Sequence, residues 1–203
     1  MIGRRLVLGT ALLPFAGRGA MAAPADINFR IMRGGSQVGT HGVRFRDEGD
    51  LLRARTEMRI RVTLAGFTVF RFTQDTEEAW RGERLVALES RADRNGTPGF
   101  CSAVGELNGL RLRGTAGEAL LPPNAAPLTW WRAATLLSAN VPLFDVREGR
   151  AVQPRLERMP QAGGQRIRVI GGEGAEVAYD ARGNWTFFAT TGEDGSSVTY
   201  ERS

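Results

Sequence analysis

The sequence contains no lysine; all 27 of its basic residues are arginine, against 22 acidic residues. It has one cysteine and one histidine. The solitary Cys101 excludes an intrachain disulfide even in an oxidising compartment, so the fold must rest on a hydrophobic core. The solitary His41 would have to serve any Ser-His-Asp machine, and no Gly-x-Ser-x-Gly elbow is present to partner it. One Cys and one His cannot fill a tetrahedral zinc shell, so no metal is expected. No cofactor is expected either. The glycine clusters "RGGSQVG" and "IGGEGAE" lack the Lys-Ser/Thr ending and the strand-to-helix setting of a phosphate loop. A Cys101–His41 thiol dyad is formally available. Against it, Cys101 in "GFCSAV" reads as a small buried hydrophobe, and His41 between Gly39 and Gly42 reads as a turn or strand-end residue.

Long hydrophobic runs are also missing. "MIGRRLVLGTALLPFAGRGAMA" has a short basic start (Arg4, Arg5), an apolar run over 6–16 and small residues at Ala20 and Ala22. That is the layout of a secretory signal over 1–22, cleaved after Ala22, and it implies a periplasmic protein exported by the Sec or twin-arginine route. No later stretch approaches the ~20 apolar residues of a membrane helix, so the mature chain is not expected to span a membrane. Cleavage removes Arg4, Arg5 and Arg18 and no acid, leaving 24 basic against 22 acidic residues, a balance of +2. With arginines and acids interspersed, no nucleic-acid partner is expected.

What is present is alternation. In "LLRARTEMRIRVTL" (51–64), Leu52, Ala54, Met58, Ile60, Val62 and Leu64 share one face while Arg53, Arg55, Glu57, Arg59, Arg61 and Thr63 share the other. A period of two over this length predicts a strand with one wet face. "VRFR" (43–46), "RLVALESRAD" (84–93), "LRLRG" (110–114), "RIRVI" (166–170) and "NWTFFAT" (184–190) read the same way. Short turn signals separate them, among them "DEGD", "RGE", "RNGTPG", "LNG" and "EDGS", and connections this short join antiparallel neighbours. "MPQAGGQ" and "IGGEGAE" read as loops between late strands. The proline-bounded "PPNAAPLTWWRAATLLSANVP" predicts a short helix over 130–139, with Thr129 as its N-cap. The expected architecture over 23–203 is one mainly β domain, a strongly curved antiparallel meander or half-barrel, with that helix packed on its concave face.

Three stretches, "GGSQVGTHGVRF", "EAWRGERLVALESRADRNG" and "AYDARGNW", together with the aromatic helix segment "TWWRAATLL", resemble a family of exported proteobacterial proteins, domain of unknown function 6134. More distantly the chain resembles the uncharacterised periplasmic group numbered 3108 and the curved single sheet of lipoprotein carriers. The resemblance implies a sheet wrapped around an apolar hollow. It brings no catalytic residue.

Two readings stand for the acid-rich "TQDTEEAWRGERLVALESRADRNG" (73–96). It is either a hairpin turned by "RGE", with Trp80 near its tip and its acids bridged to arginines, or a carboxylate enzyme site with Glu78 and Asp93 as the pair. The stripe of Arg44, Arg46, Arg53, Arg55, Arg59 and Arg61 reads as a solvated face, or as a surface for phosphates or a partner's carboxylates. "FTVFRF" and "WTFF" carry large apolar groups on both faces, as strands covered on both sides would. The leading expectation is a non-enzymatic carrier of a lipid or other amphipathic ligand. Trp130, Trp131, Leu137, Phe70 and Phe72 would form its apolar wall, with Arg59 or Arg61 at the rim for an anionic head. An envelope scaffold binding a protein partner is the alternative.

Overall fold

A computed structural model describes residues 23–138, 140–171 and 174–203. The expected signal segment, 1–22, lies outside the described residues. The elements in chain order are β1 (Ile27–Arg33), β2 (Ser36–Glu48), β3 (Leu51–Leu64), β4 (Phe67–Arg81), β5 (Arg84–Arg94), β6 (Thr97–Glu106), β7 (Gly109–Gly114), β8 (Gly117–Leu121), β9 (Ala126–Pro127), α1 (Ala133–Leu137), β10 (Leu143–Asp145), β11 (Arg150–Val152), β12 (Arg155–Gln161), β13 (Gly164–Ile170), β14 (Ala175–Asp180), β15 (Trp185–Thr191) and β16 (Ser197–Arg202). Among the described residues no helix is long and apolar enough to cross a membrane.

Thirteen strands form one open antiparallel sheet in the order β12-β13-β14-β15-β16-β1-β2-β3-β4-β5-β6-β7-β8. The meander follows the tight turns of the sequence, except that the C-terminal β16 pairs with the N-terminal β1, Ile31 facing Tyr200. That single ladder joins the halves β1–β8 and β12–β16. Alternation decides the faces. Along β3, Ala54, Thr56 and Val62 are buried, while Arg53, Arg55, Arg59 and Arg61 between them are exposed. The buried faces of both halves meet in one core containing Phe29, Ile31, Val43, Leu88, Leu112, Ile167, Val177 and Trp185.

The sheet's free edges, β8 and β12, are joined only by the covalent segment 122–154, which carries α1 and the small sheet β11-β10-β9. This segment is a strap across the mouth of the bend. Its neighbouring residues Trp131 and Trp130 anchor to β4 and β14: Trp131 Nε1 donates to Glu78 at 3.0 Å, and Trp130 O accepts from the Tyr179 hydroxyl at 2.8 Å. Five strands lie between β4 and β14. On a flat sheet those six spacings would separate the anchors by roughly 29 Å. One dipeptide reaches both, so the sheet curls around it. An Arg94–Glu193 ion pair does the same at one end, linking β5 to the β15–β16 turn.

The helix is shorter than the sequence predicts. α1 covers Ala133–Leu137, its N-cap position is Arg132 without a side-chain cap, and Thr129 does not cap it. The tryptophans stand outside the helix because they face different walls, Trp131 toward Phe45 at 5.0 Å between ring centres and Trp130 toward Phe188 at 5.0 Å. Those anchors override local helical preference. Two further expectations are corrected. "MPQAGGQ" is mostly strand, the end of β12 and the start of β13 around a tight turn. "FTVFRF" is not covered on both faces, because Phe67 and Val69 are exposed on the tip of the β3–β4 hairpin. In "WTFF", a register shift opposite β15 lets Trp185 and Phe188 share the inner face.

At its far end the strap rests on β6 and β7, where the Ala116 N–H donates to Glu148 O at 2.9 Å. A Cβ at Gly114 would lie 2.2 Å from that same carbonyl oxygen. Gly114→Ala is therefore expected to destabilise the protein by about 1–3 kcal/mol, the cost of overpacking against backbone that has little room to yield. The urea midpoint measures it, and an unchanged midpoint would show that the strap does not bear on β7.

Candidate functional site

The strap does not fill the bowl. Beneath it lies a cavity of about 760 Å³. Its floor is made by inward residues of three adjacent strands, His41 of β2, Thr56, Met58, Ile60 and Val62 of β3, and Phe70, Phe72, Gln74 and Thr76 of β4. Phe188 and Tyr200 form the far wall, and Leu128 to Trp131 of the strap form the roof. Paired charges ring the mouth. Arg33 meets Asp194, Arg94 meets Glu193, Arg147 meets Asp145 at 2.7 Å and Arg150 meets Glu148 at 2.9 Å. The β3–β4 hairpin outruns β2 and β5, whose last pairings with it are at Ile60 and Phe72. Val62, Val69 and Phe70 of this projecting tip also line the cavity.

The floor is apolar with a polar band. Thr56, Thr76 and Ser90 lie in register across β3, β4 and β5. Gln74 Nε2 donates to Thr76 Oγ1 at 3.1 Å, and the Thr76 and Ser90 hydroxyls are 2.8 Å apart. Three buried polar atoms have no partner among the described residues: His41 Nδ1, Thr56 Oγ1 and Thr129 Oγ1. All three residues line this cavity.

His41 is neither a turn nor a strand-end residue. It sits within β2, opposite Met58 and packed edge-on to Trp185 at 5.1 Å and Tyr200 at 5.6 Å. Its flanking glycine has another purpose, since a Cβ at Gly39 would lie 2.2 Å from Arg59 O on β3. Burial alone pushes the His41 imidazole down to about 3, so it is neutral at ordinary pH. Cys101 is four strands away on β6, buried, its thiol pushed up to about 12 by burial and then by Asp145. That is the environment of an inert cysteine.

Of the residues expected to form an apolar wall, Trp130, Trp131, Phe70 and Phe72 line the cavity. Leu137 packs half-buried against the core instead. Arg59 and Arg61 are not at the rim. The alternation that turns Met58, Ile60 and Val62 inward turns both arginines outward, where they border a shallow depression of about 270 Å³ with Arg71 and Thr73. Arg59 is occupied there by Asp75 at 2.6 Å. Three others of the stripe are paired as well, Arg44 with Asp26 at 3.5 Å, Arg53 with Glu48 at 2.6 Å and Arg55 with Glu57 at 3.1 Å.

The carboxylates proposed as a pair lie on opposite faces. Asp93 is outside, 3.5 Å from Arg71. Glu78 is fully buried, its two oxygens taken by Trp80 Nε1 at 2.8 Å and Trp131 Nε1 at 3.0 Å, and it does not line the cavity. Arg132 stacks over Trp80 at 4.2 Å beside it. Burial pushes the Glu78 carboxyl up to about 7 against the pull of both indoles and Arg132. It is a structural clamp, and Trp80, which sits beside the tip of the expected β4–β5 hairpin, is part of it.

Glu78 and His41 oppose each other in linkage. Glu78 binds its proton more tightly folded than unfolded, so its contribution is complete below its ordinary 4.5 and is lost as pH rises to about 7; the span is on the order of 3 kcal/mol. His41 binds its proton less tightly folded, so its contribution is complete above its ordinary 6.5 and is lost as pH falls toward about 3. Between pH 4.5 and 6.5 the slopes cancel. Glu78→Gln is expected to leave the His41 slope alone, with stability rising by on the order of 1 kcal/mol per pH unit across that window. Urea titrations at several pH values check this; parallel profiles for both proteins would refute it.

No curated protein matches the chain. Among solved structures, the crystal structure of a beta-barrel-like protein of Domain of Unknown Function DUF1849 from Brucella abortus is similar. The TM-score is 0.58 at 11% identity, over 88% of this chain and 94% of that one, a likeness of fold alone. The family model described as Domain of unknown function (DUF6134) matches residues 29–203, and the chain belongs to that family.

Proposed function

We infer that this is an exported, non-enzymatic binding or carrier protein of the periplasm, which holds one lipid-like, apolar or amphipathic molecule beneath its strap. The observation that carries this reading is the cavity itself, about 760 Å³ of open space where a bowl of this size would otherwise be packed solid. That volume is within the few-hundred to ~1,000 Å³ range of small-molecule pockets, and the walls are largely apolar with a few placed polar groups. Interiors normally leave few voids larger than a water molecule, so such space is costly to maintain without an occupant. Export rests on the layout of residues 1–22. Family and fold lend architecture only.

A second reading, an envelope scaffold for a protein partner, draws on the unpaired edges β8 and β12, the former with Leu120 exposed. Such edges accept an added strand. They do not explain the cavity, so the carrier reading leads.

The neutral fluorophore N-phenyl-naphthylamine is expected to saturate at one molecule per protein. Ile60→Trp, which places an indole in the cavity, should weaken uptake at least about tenfold, the loss of a good fraction of buried apolar contact. Organic extraction of purified protein followed by mass spectrometry should release a stoichiometric small molecule. No saturable uptake, together with a clean extract, would dismiss the carrier.

A further inference from the structure

The unpartnered groups in the cavity describe the missing partner. His41 is 4% exposed, Thr56 5% and Thr129 8%, so each is more than nine-tenths buried, and each carries a polar atom with no hydrogen-bond partner among the described residues. Buried polar groups are almost always satisfied, and leaving one unmade is unfavourable. The three residues that carry these atoms come from three separate elements, β2, β3 and the strap, and all line one hollow. On the floor, Thr56 is two residues from Met58, the partner of His41, so His41 and Thr56 are diagonal neighbours on one face. Nearby Thr76, Gln74 and Ser90 satisfy one another, which sets the unpartnered three apart.

The charge of the expected partner follows from its surroundings. No ionised side chain lines the floor, and the charged lining residues at the mouth, Arg33, Arg94, Arg147, Arg150, Asp145, Glu193 and Asp194, are paired. A carboxylate or ammonium brought to the floor would meet no counter-ion, and burying an unpaired charge is far more unfavourable than burying a neutral polar group. Threonine hydroxyls donate and accept, and a neutral imidazole offers one donor and one acceptor nitrogen. An uncharged oxygen function satisfies that set.

Resting on the carrier reading, we propose that the ligand is a neutral amphipath whose hydroxyl or carbonyl oxygen is held among His41, Thr56 and Thr129 while its apolar body lies against Phe70, Phe72 and Trp130. Its polar end is held inside the hollow between floor and strap, and the paired arginines at the mouth hold no anionic head.

Displacement of N-phenyl-naphthylamine from the full mature chain tests this with four competitors of one chain length: n-decanol, n-decyl chloride, decanoate and decylammonium. Decanol is expected to bind at least about tenfold more tightly than either charged competitor. The affinity ratio of decanol to decyl chloride should fall about tenfold in Thr56→Val and in Thr129→Val, the loss of a hydrogen bond to a buried group. Thr56→Ser should restore it, and decyl chloride itself should bind all variants alike. Because the readout is a ratio within each protein, a modest loss of stability does not mimic it. Decanoate binding best, or a ratio unmoved by the valine variants, would overturn the proposal while leaving the cavity a ligand site, with the three polar atoms serving bound water alone. Failure of all four to displace the probe would overturn the carrier reading and this one together.

Discussion

A thirteen-stranded sheet that bends but does not close leaves its inner face open between two free edges, and everything distinctive in this protein follows from how that opening is covered. The cover is a covalent strap, with no backbone ladder to either edge among the described residues. It is held by a few specific contacts: the Glu78 carboxyl gripped by two indole N–H groups, the Tyr179 hydroxyl on Trp130 O, and the backbone of Glu148 and Gly149 pressed onto Gly114. Closure by strands would set the barrel's radius through hydrogen-bond geometry. Closure by a strap lets the radius exceed what the side chains fill, and a cavity is the result.

Much of this was legible in the sequence, for one reason. β3 was readable from Leu52 to Val62 because its period of two holds that far; beyond it a register shift against β4 leaves Leu64 exposed, and the glycine-bearing turns fixed the antiparallel order around it. The same alternation already placed Arg59 and Arg61 on the wet face, so putting them at a ligand's rim contradicted the pattern that predicted the strand. Phe70, Phe72 and the tryptophan pair were accessible to reasoning because a large aromatic on an inward position has few destinations. His41 was misplaced because glycines flank it and glycine usually signals a turn; at Gly39 it signals the close approach of β3. Neither Thr56 nor Thr129 stood out as a site residue, and Thr129 was read as a helix cap. An inward threonine on a strand is an ordinary residue, and only three-dimensional placement shows that its hydroxyl lacks a partner.

Glu78 illustrates the limits of reading chemistry from residue type. A carboxyl pushed up by burial is what a general acid would display. Here both oxygens are bonded to indoles, the neighbouring guanidinium lies over Trp80, and the cavity is elsewhere. The shifted group marks where the strap is fastened, and its distance from open space separates structural from chemical use.

The pairing of β16 with β1 imposes an order on assembly. Among the described residues the β1–β16 ladder is the one strand pairing that joins the two halves of the sheet, so the far wall of the hollow meets its floor only once β16 has paired with β1. Contacts this remote in sequence form slowly, because a long loop must be closed before they contribute anything. Joining the halves and enclosing the hollow are therefore a single late event.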